Sequence, residues 1–267
     1  MLKKTLILTL SFVFILSSTA ACLASELVKI SPEEQDSFSD NVLLPSPAEV
    51  FVSMDKVGET NWSDAASYSP KYDYGDNYLR ALNLGIRAAD GFLAIQARDS
   101  ENLGEMIVVI LTLAEELLVQ ETILNKGKTF EDMAKNGQWD ELHAELDNLR
   151  DDVMREIERL GDDDLALLVS AGGWLEGLRA ISKVLEENYD PKASSILYQP
   201  NLVEYFTKQI EAMTPEARSH PSVQELERLL PEIMRLVNVG YRTPLPLENI
   251  KELNGLSTDF VRTLEKG

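Results

Sequence analysis

Residues 165–180 read LALLVSAGGWLEGLRA, a segment that is apolar on every side when drawn as a helix. Its only charged side chains are those of Glu176 and Arg179. Three glycines fall within six residues: Gly172, Gly173 and Gly177. A helix that is apolar all round lies at the centre of a bundle, and each interior glycine costs it roughly 1 kcal/mol relative to alanine. The glycines therefore predict a close approach, either by the backbone of a neighbouring helix or by a ligand.

A second segment of the same kind, residues 78–92, reads YLRALNLGIRAADGF. Most of its circumference is apolar, but Asn83, Arg87 and Asp90 are three or four residues apart and stack on one helix face. Charged groups persist in the centre of a fold only when they are paired and hydrogen-bonded. The two segments therefore predict one central cluster of six residues: Asn83, Arg87, Asp90, Trp174, Glu176 and Arg179.

This cluster has two interpretations that the sequence leaves open. It is either a packed network that fixes the register of the central helices, or a polar pocket that binds a ligand. Three tyrosines are candidates for helping such a pocket: Tyr72, Tyr74 and Tyr78. Ionisable groups with shifted pKa values occur in both kinds of place, so the residue types alone do not separate the two.

The rest of the chain also follows a helical pattern. An apolar stripe with steps of three or four residues consists of Trp139, Leu142, Leu146, Leu149, Val153, Ile157 and Leu160. Helices are predicted over residues 77–98, 101–125, 139–160, 162–188, 201–213, 222–239 and 247–264. Pro231 is expected to kink or restart the sixth helix, and Asn254 with Gly255 to interrupt the last. The predicted fold class is all-α, a single helical-bundle domain of antiparallel hairpins over residues 45–267.

Catalytic and metal-binding motifs are absent from the sequence. It has no Gly-x-Ser-x-Gly elbow and no phosphate-binding loop. Neither of the two histidines, His143 and His220, has a glutamate three residues before it, as a di-iron bundle requires. The Ser170 hydroxyl is expected to bond a carbonyl one helical turn earlier. We therefore predict no catalytic residue, no metal and no cofactor.

The first 24 residues have the pattern of an export signal. Two lysines, Lys3 and Lys4, precede an apolar run over residues 6–16, and small residues follow as far as Ala24. That run is too short to span a bilayer, which takes about 20 residues. Residues 25–44 are polar and acidic without a sustained period, which predicts a flexible linker.

Cys22 is the only cysteine of the chain, and it lies where the signal would be cleaved. In one interpretation it closes a lipoprotein box, becomes lipidated, and the signal covers residues 1–21. In the other, cleavage follows Ala24 and the signal covers residues 1–24. Either outcome places the protein outside the cytoplasm, in the periplasm or at the outer membrane, with a possible lipid anchor at its N-terminus.

The net charge of the chain is -20. Such a surface repels phosphate backbones, which excludes nucleic acid as a partner. No segment after the signal is long and apolar enough to predict a membrane span.

Three short segments resemble a family of exported, often lipid-anchored, all-helical bacterial proteins: residues 46–50 (SPAEV), 81–90 (ALNLGIRAAD) and 171–178 (AGGWLEGL). The Gly-Gly-Trp-x-Glu pattern at the start of the third is the most specific of them. The resemblance implies the helical fold and export, and it brings no catalytic residues with it.

Two functions are compatible with these features. The first is a non-enzymatic binding or interaction module of the cell envelope, whose partner is an envelope protein or a small ligand. The alternative is a hydrolase-like or acid/base enzyme that uses Asp90 and Glu176 in a central polar pocket, with Arg87 or Arg179 holding an anion.

Overall fold

The computed structural model describes residues 60, 62–121 and 125–266. Every regular element in this part of the chain is helical and none is a strand, so the all-α prediction is confirmed. The predicted export signal, the lipidation at Cys22, the linker and the first part of the domain lie outside the described residues.

Ten α-helices and one 3-10 helix make up the described part. The α-helices are α1 (Trp62–Ala65), α2 (Asn77–Gln96), α3 (Ser100–Glu116), α4 (Gly127–Lys135), α5 (Trp139–Arg159), α6 (Asp163–Glu187), α7 (Pro200–Ala212), α8 (Pro215–Ser219), α9 (Pro221–Val237) and α10 (Leu247–Lys266). The 3-10 helix, η1 (Ala193–Leu197), connects α6 to α7. None of the described helices is both long and apolar enough to cross a bilayer.

Helices α2 and α6 form the centre of the fold, and glycines set the distance between them. A Cβ atom at Gly85 would lie 1.9 Å from the carbonyl oxygen of Val169, and one at Gly172 would lie 2.0 Å from that of Leu82. Both positions therefore exclude any side chain. Of the two kinds of close approach predicted from the glycines, Gly172 shows the approach of a neighbouring helix backbone.

The other helices cover this central pair. Helix α10 packs on α6, α3 packs on α2, and α5 contacts both central helices. Helix α9 lies against α7 and α10, while the short α4 packs against α3 and α5. Buried apolar side chains from all ten helices join in one hydrophobic core, which encloses the central pair.

Helix α3 differs at both ends from the helix predicted over residues 101–125. Its N-cap is Asp99, whose carboxylate accepts a hydrogen bond from the Asn102 N–H, and Ser100 is the first helical residue. It ends at Glu116 rather than at residue 125, and Leu118 then takes a positive φ of 66°. The sequence pattern continued past this point because the next buried residues, which follow a turn, are again apolar.

Two predicted interruptions concern α9 and α10. Helix α10 is unbroken through Asn254 and Gly255, so that prediction was wrong. Asn254 donates a hydrogen bond from its side chain to the Arg179 carbonyl oxygen at 3.0 Å, and this contact holds the helix against α6. Pro231 lies inside α9, and the helix continues on both sides of it without a restart.

Candidate functional site

The predicted central cluster is a network of buried charged groups. Arg87 and Asp90 are completely buried, and Arg87 Nη1 lies 2.7 Å from Asp90 Oδ2. The second terminal nitrogen of Arg87 lies 2.6 Å from Glu265 Oε1, on α10. Arginine's planar fork suits two carboxylates at once, and here it joins α2 to the last described helix.

The second pair of the network lies on α6. Arg179 Nε donates to Glu176 Oε2 at 2.8 Å, and Arg179 Nη2 donates to the other oxygen of the same carboxylate. Arg179 Nη2 also donates to the carbonyl oxygen of Ala65 at 2.8 Å, which ties α1 to the centre. Glu176 is completely buried, and this two-pronged bond is the geometry that arginine and a carboxylate prefer.

Asp90 and Glu176 are both completely buried, and their carboxyl groups are close enough to interact. Burial, together with the neighbouring Glu176 carboxylate, raises the pKa of Asp90 well above its ordinary value despite the two arginines. Asp90 Oδ1 has no hydrogen-bond donor among the described groups. A proton on Asp90 agrees with this raised pKa and balances the network, because two arginines then face two carboxylates, those of Glu176 and Glu265.

Two further polar residues border the network. Asn83 donates its side-chain N–H to the Leu79 carbonyl oxygen at 2.9 Å and is completely buried. Tyr74 is buried, and this burial raises the pKa of its hydroxyl to about 12. Asn83 thus bonds within its own helix, and no hydrogen bond links it to the four charged residues.

A separate cavity of about 290 Å³ lies between α2, α5, α6 and α7. Its walls are mostly apolar, with side chains that include Met154, Leu178, Ile181, Leu197, Leu202 and Phe206. Of the six residues in the predicted cluster, only Trp174 lines it. The structure therefore places the charged network behind the cavity and leaves the two carboxylates without access to it.

Glycines form one side of the cavity. Gly85, Gly173 and Gly177 all line it, and a Cβ atom at Gly177 would have no other atom within 4 Å. Backbone approach explains Gly172, but it does not explain Gly177, where the missing side chain leaves open space. The glycine-rich segment therefore combines a backbone contact at Gly172 with open space at Gly177.

Few polar groups face the cavity. Trp174 Nε1 donates to Gln199 Oε1 at 2.9 Å, and Gln199 Nε2 donates to the Ile196 carbonyl oxygen at 3.0 Å, so both side chains are satisfied. Ser170 Oγ makes no hydrogen bond to any described residue, contrary to the expectation that it would bond the preceding turn. In the same helix Ser182 does make that bond, to the Leu178 carbonyl oxygen at 2.6 Å.

The charged residues that line the cavity neutralise each other. They are Arg150 and Asp151, joined by bonds of 3.2 and 2.8 Å from Arg150 Nε and Nη2 to Asp151 Oδ1. Arg150 Nη1 also lies 3.0 Å from Asp147 Oδ1. Arg150 is therefore already engaged by two carboxylates and offers no free positive charge to a ligand.

Sequence reasoning missed a chain of contacts at the start of α9. His220 Nδ1 lies 2.8 Å from Ser222 Oγ, and His220 Nε2 lies 3.2 Å from Asp76 Oδ2. Asp76 also caps α2, since it accepts the Leu79 N–H. The serine, histidine and aspartate types resemble a catalytic triad, but Ser222 is buried and none of the three lines the cavity. Their contacts join the first turns of α2 and α9, and the partner 144 positions away gave no signal in the sequence.

His143 lies at the edge of the core, with its ring centroid 5.2 Å from that of Phe92. Burial lowers the pKa of His143. Within the described ranges, no three residues of the histidine, cysteine, aspartate and glutamate types are grouped so that they could hold a metal ion.

Comparison with models of protein families, with curated proteins and with solved structures finds nothing that matches this chain. The fold and the site together define an all-α protein with a charged network at its centre and an apolar cavity beside it. Its function has to be inferred from these two features.

Proposed function

We propose that the chain is a non-enzymatic, exported protein of the cell envelope that binds a small, mainly apolar ligand in the cavity between α2, α5, α6 and α7. The observation that carries this proposal is the open space at Gly177. A glycine inside a helix is unfavourable, and at this position no neighbouring atom requires it. Space for a ligand accounts for it, because ligand sites are mostly apolar hollows with a few polar groups.

The cavity is compatible with this role in size and lining. Its volume of about 290 Å³ is near the lower end of the range for small-molecule sites, roughly 300–1,000 Å³. Trp174 and Phe206 stack on each other at its wall, with ring centroids 4.9 Å apart, and this stack is present without a ligand. A site that is formed in advance loses less entropy on binding.

Export to the envelope rests on the N-terminal sequence. The basic start, the short apolar run and the small residues up to Ala24 support it. The mass of the denatured protein, purified from its host, distinguishes the two forms. A lipidated chain starts at Cys22 with added acyl mass, whereas simple cleavage leaves a chain that starts at Ser25. A mass that retains residues 1–21 would contradict export.

The binding proposal is tested by filling the cavity. Gly177→Leu places a side chain in the open space, and Gly255→Leu is its matched control, because Gly255 is also a helical glycine with no atom near its Cβ position but does not line the cavity. Native mass spectrometry on protein from the envelope fraction should show a bound small molecule in the wild type and in Gly255→Leu. Gly177→Leu should lose it while it keeps the wild-type circular dichroism spectrum. A wild type without added mass, or equal mass on all three proteins, would refute the proposal.

The enzymatic alternative has weaker support. Asp90 and Glu176 are close together, as acid/base chemistry requires, but both are completely buried and neither lines the cavity. A general acid or base has to come within hydrogen-bonding reach of its substrate. The observed bonds of Glu176 to Arg179 occupy both of its oxygens instead.

A further inference from the structure

The polar groups of the cavity restrict which ligand it can take. We infer that the ligand is an uncharged, flat, mainly apolar molecule of roughly ten non-hydrogen atoms with one hydrogen-bonding group, which bonds Ser170. This inference rests on the proposed binding function and adds the chemical class of the ligand to it. Four observations carry it: the volume, the shape of the glycine side, the engaged arginine and the free hydroxyl.

Volume sets the size. One water takes about 30 Å³ of liquid and a methylene group has a similar size, so 290 Å³ accommodates on the order of ten non-hydrogen atoms. A long acyl chain would extend beyond this space. The site suits a compact molecule such as a one- or two-ring compound.

Shape favours a flat molecule. Along one side, Gly85, Gly173 and Gly177 expose helix backbone without side chains. The stacked rings of Trp174 and Phe206 line the same cavity. A planar ring can contact both the exposed backbone and the aromatic side chains, and aromatic pairs add attraction beyond the buried area.

Charge complementarity excludes ions. The one cation of the lining, Arg150, is bonded to Asp151 and lies beside Asp147. A carboxylate ligand would therefore find no free counter-ion, and the overall charge of -20 adds repulsion. An ammonium group would be attracted by the same overall charge, but inside the cavity it would lose its hydration against mostly apolar walls and meet Asp151, which is already paired with Arg150.

Hydrogen bonding adds the last requirement. The side chains of Trp174 and Gln199 bond each other and the backbone, so they have little left to offer. The Ser170 hydroxyl has no partner among the described residues, and it can both donate and accept. One polar group on the ligand is enough to satisfy it.

Indole is a suitable probe, since it is an uncharged bicycle with one N–H group and has about ten non-hydrogen atoms. Its carboxylate derivative indole-3-acetate and its ammonium derivative tryptamine test the charge requirement, and indene, which lacks the N–H, tests the hydrogen bond. Calorimetric titration of the mature protein, with its own ligand removed, should show indole binding. Both charged derivatives should bind at least about tenfold more weakly, because each buries an unpaired charge.

Variants locate the interaction. Ser170→Ala should weaken indole by about fivefold, the contribution of one hydrogen bond, and leave indene unchanged. Gly177→Leu should abolish binding of both, and Gly255→Leu should not alter either. Equal affinity for the charged derivatives, or an equal effect of Ser170→Ala on indole and indene, would overturn the inferred ligand class.

The outcomes also separate this inference from the proposed function. If none of the probes binds, but the wild type carries a natural ligand that Gly177→Leu loses, the site is real and the inferred class is wrong. If no probe binds and no natural ligand is found, both are refuted.

Discussion

The pair of Glu176 and Arg179 allows a direct test of how much the fold depends on its buried charges. Glu176→Leu removes the carboxylate that receives two bonds from Arg179, and it leaves that guanidinium in a place where only about 7% of the residue is exposed. Removing one partner of a buried ion pair costs about 3–5 kcal/mol. The new leucine regains part of this by apolar burial, so we expect a loss near 3 kcal/mol in the free energy of unfolding.

The matched control is Glu225→Leu. Glu225 and Arg228 have the same order and spacing on α9, but their side chains are 48% and 72% exposed. Because exposed pairs contribute little, this change should stay within about 0.5 kcal/mol. Urea unfolding followed by circular dichroism measures both variants, and an unchanged slope with denaturant shows that the same transition is compared.

Glu176→Gln provides a second measurement of the free energy of unfolding in case the Glu176→Leu variant does not fold. The amide oxygen still accepts one of the two bonds from Arg179, although the negative charge is lost. The expected loss is therefore smaller, about 1–2 kcal/mol. If Glu176→Leu is no more destabilising than Glu225→Leu, the reasoning about the central network is refuted.

Two other predictions concern the proton of Asp90 and the helix contact. Because the folded state raises the pKa of Asp90 above its ordinary value of 3.8, the stability that this proton contributes is complete below pH 3.8 and declines as pH rises from there through the raised pKa. The Asp90→Asn side chain has no proton to lose, so the free energy of unfolding of this variant should rise relative to that of the wild type by up to about 1.4 kcal/mol per pH unit over that window. Urea titrations at several pH values measure both proteins. The same pH dependence of stability in both would contradict this prediction. At the contact of α2 and α6, Gly85→Ala and Gly172→Ala should each lose at least about 1–3 kcal/mol, since their Cβ atoms would meet carbonyl oxygens at 1.9 and 2.0 Å. The Cβ atom of Gly177→Ala would meet no neighbouring atom, so this variant should gain about 0.5–1 kcal/mol of stability. If the melting temperatures of all three variants shift in the same direction, close helix contact is not the reason for these glycines.

The sequence predicted the central helices well because two local signals agreed. The segment around Gly172 and the one around Gly85 are apolar on all sides, and their few charged residues recur at helical spacing. A buried charge needs a partner, so the sequence predicts that the charged side chains of these segments are paired, as Arg87 is with Asp90 and Arg179 is with Glu176. These conclusions depend on periodicity and on burial, and both are properties that a single sequence carries.

Other parts could not be predicted, since they depend on contacts between distant positions. Helix α10 continues through Gly255 because packing against α6 outweighs the cost of that glycine. The role of Glu265 as the second partner of Arg87 had no local signal, and neither had the contact of His220 with Asp76. The cavity was missed for the same reason, because its walls come from four helices and its one free polar group, Ser170, looked like an ordinary helical serine.

The bond between Arg87 and Glu265 has a consequence for the order of events during synthesis. The two residues are 178 positions apart, and at roughly 5–20 residues per second a ribosome needs on the order of 10–40 s to travel from one to the other. During that interval α2 can form a hairpin with α3, but the Arg87 guanidinium has only Asp90 as a partner, because Glu265 has not yet been made. The contacts of the earliest central helix are therefore among the last to be completed, and the charged network around Arg87 closes only after α10 has been made.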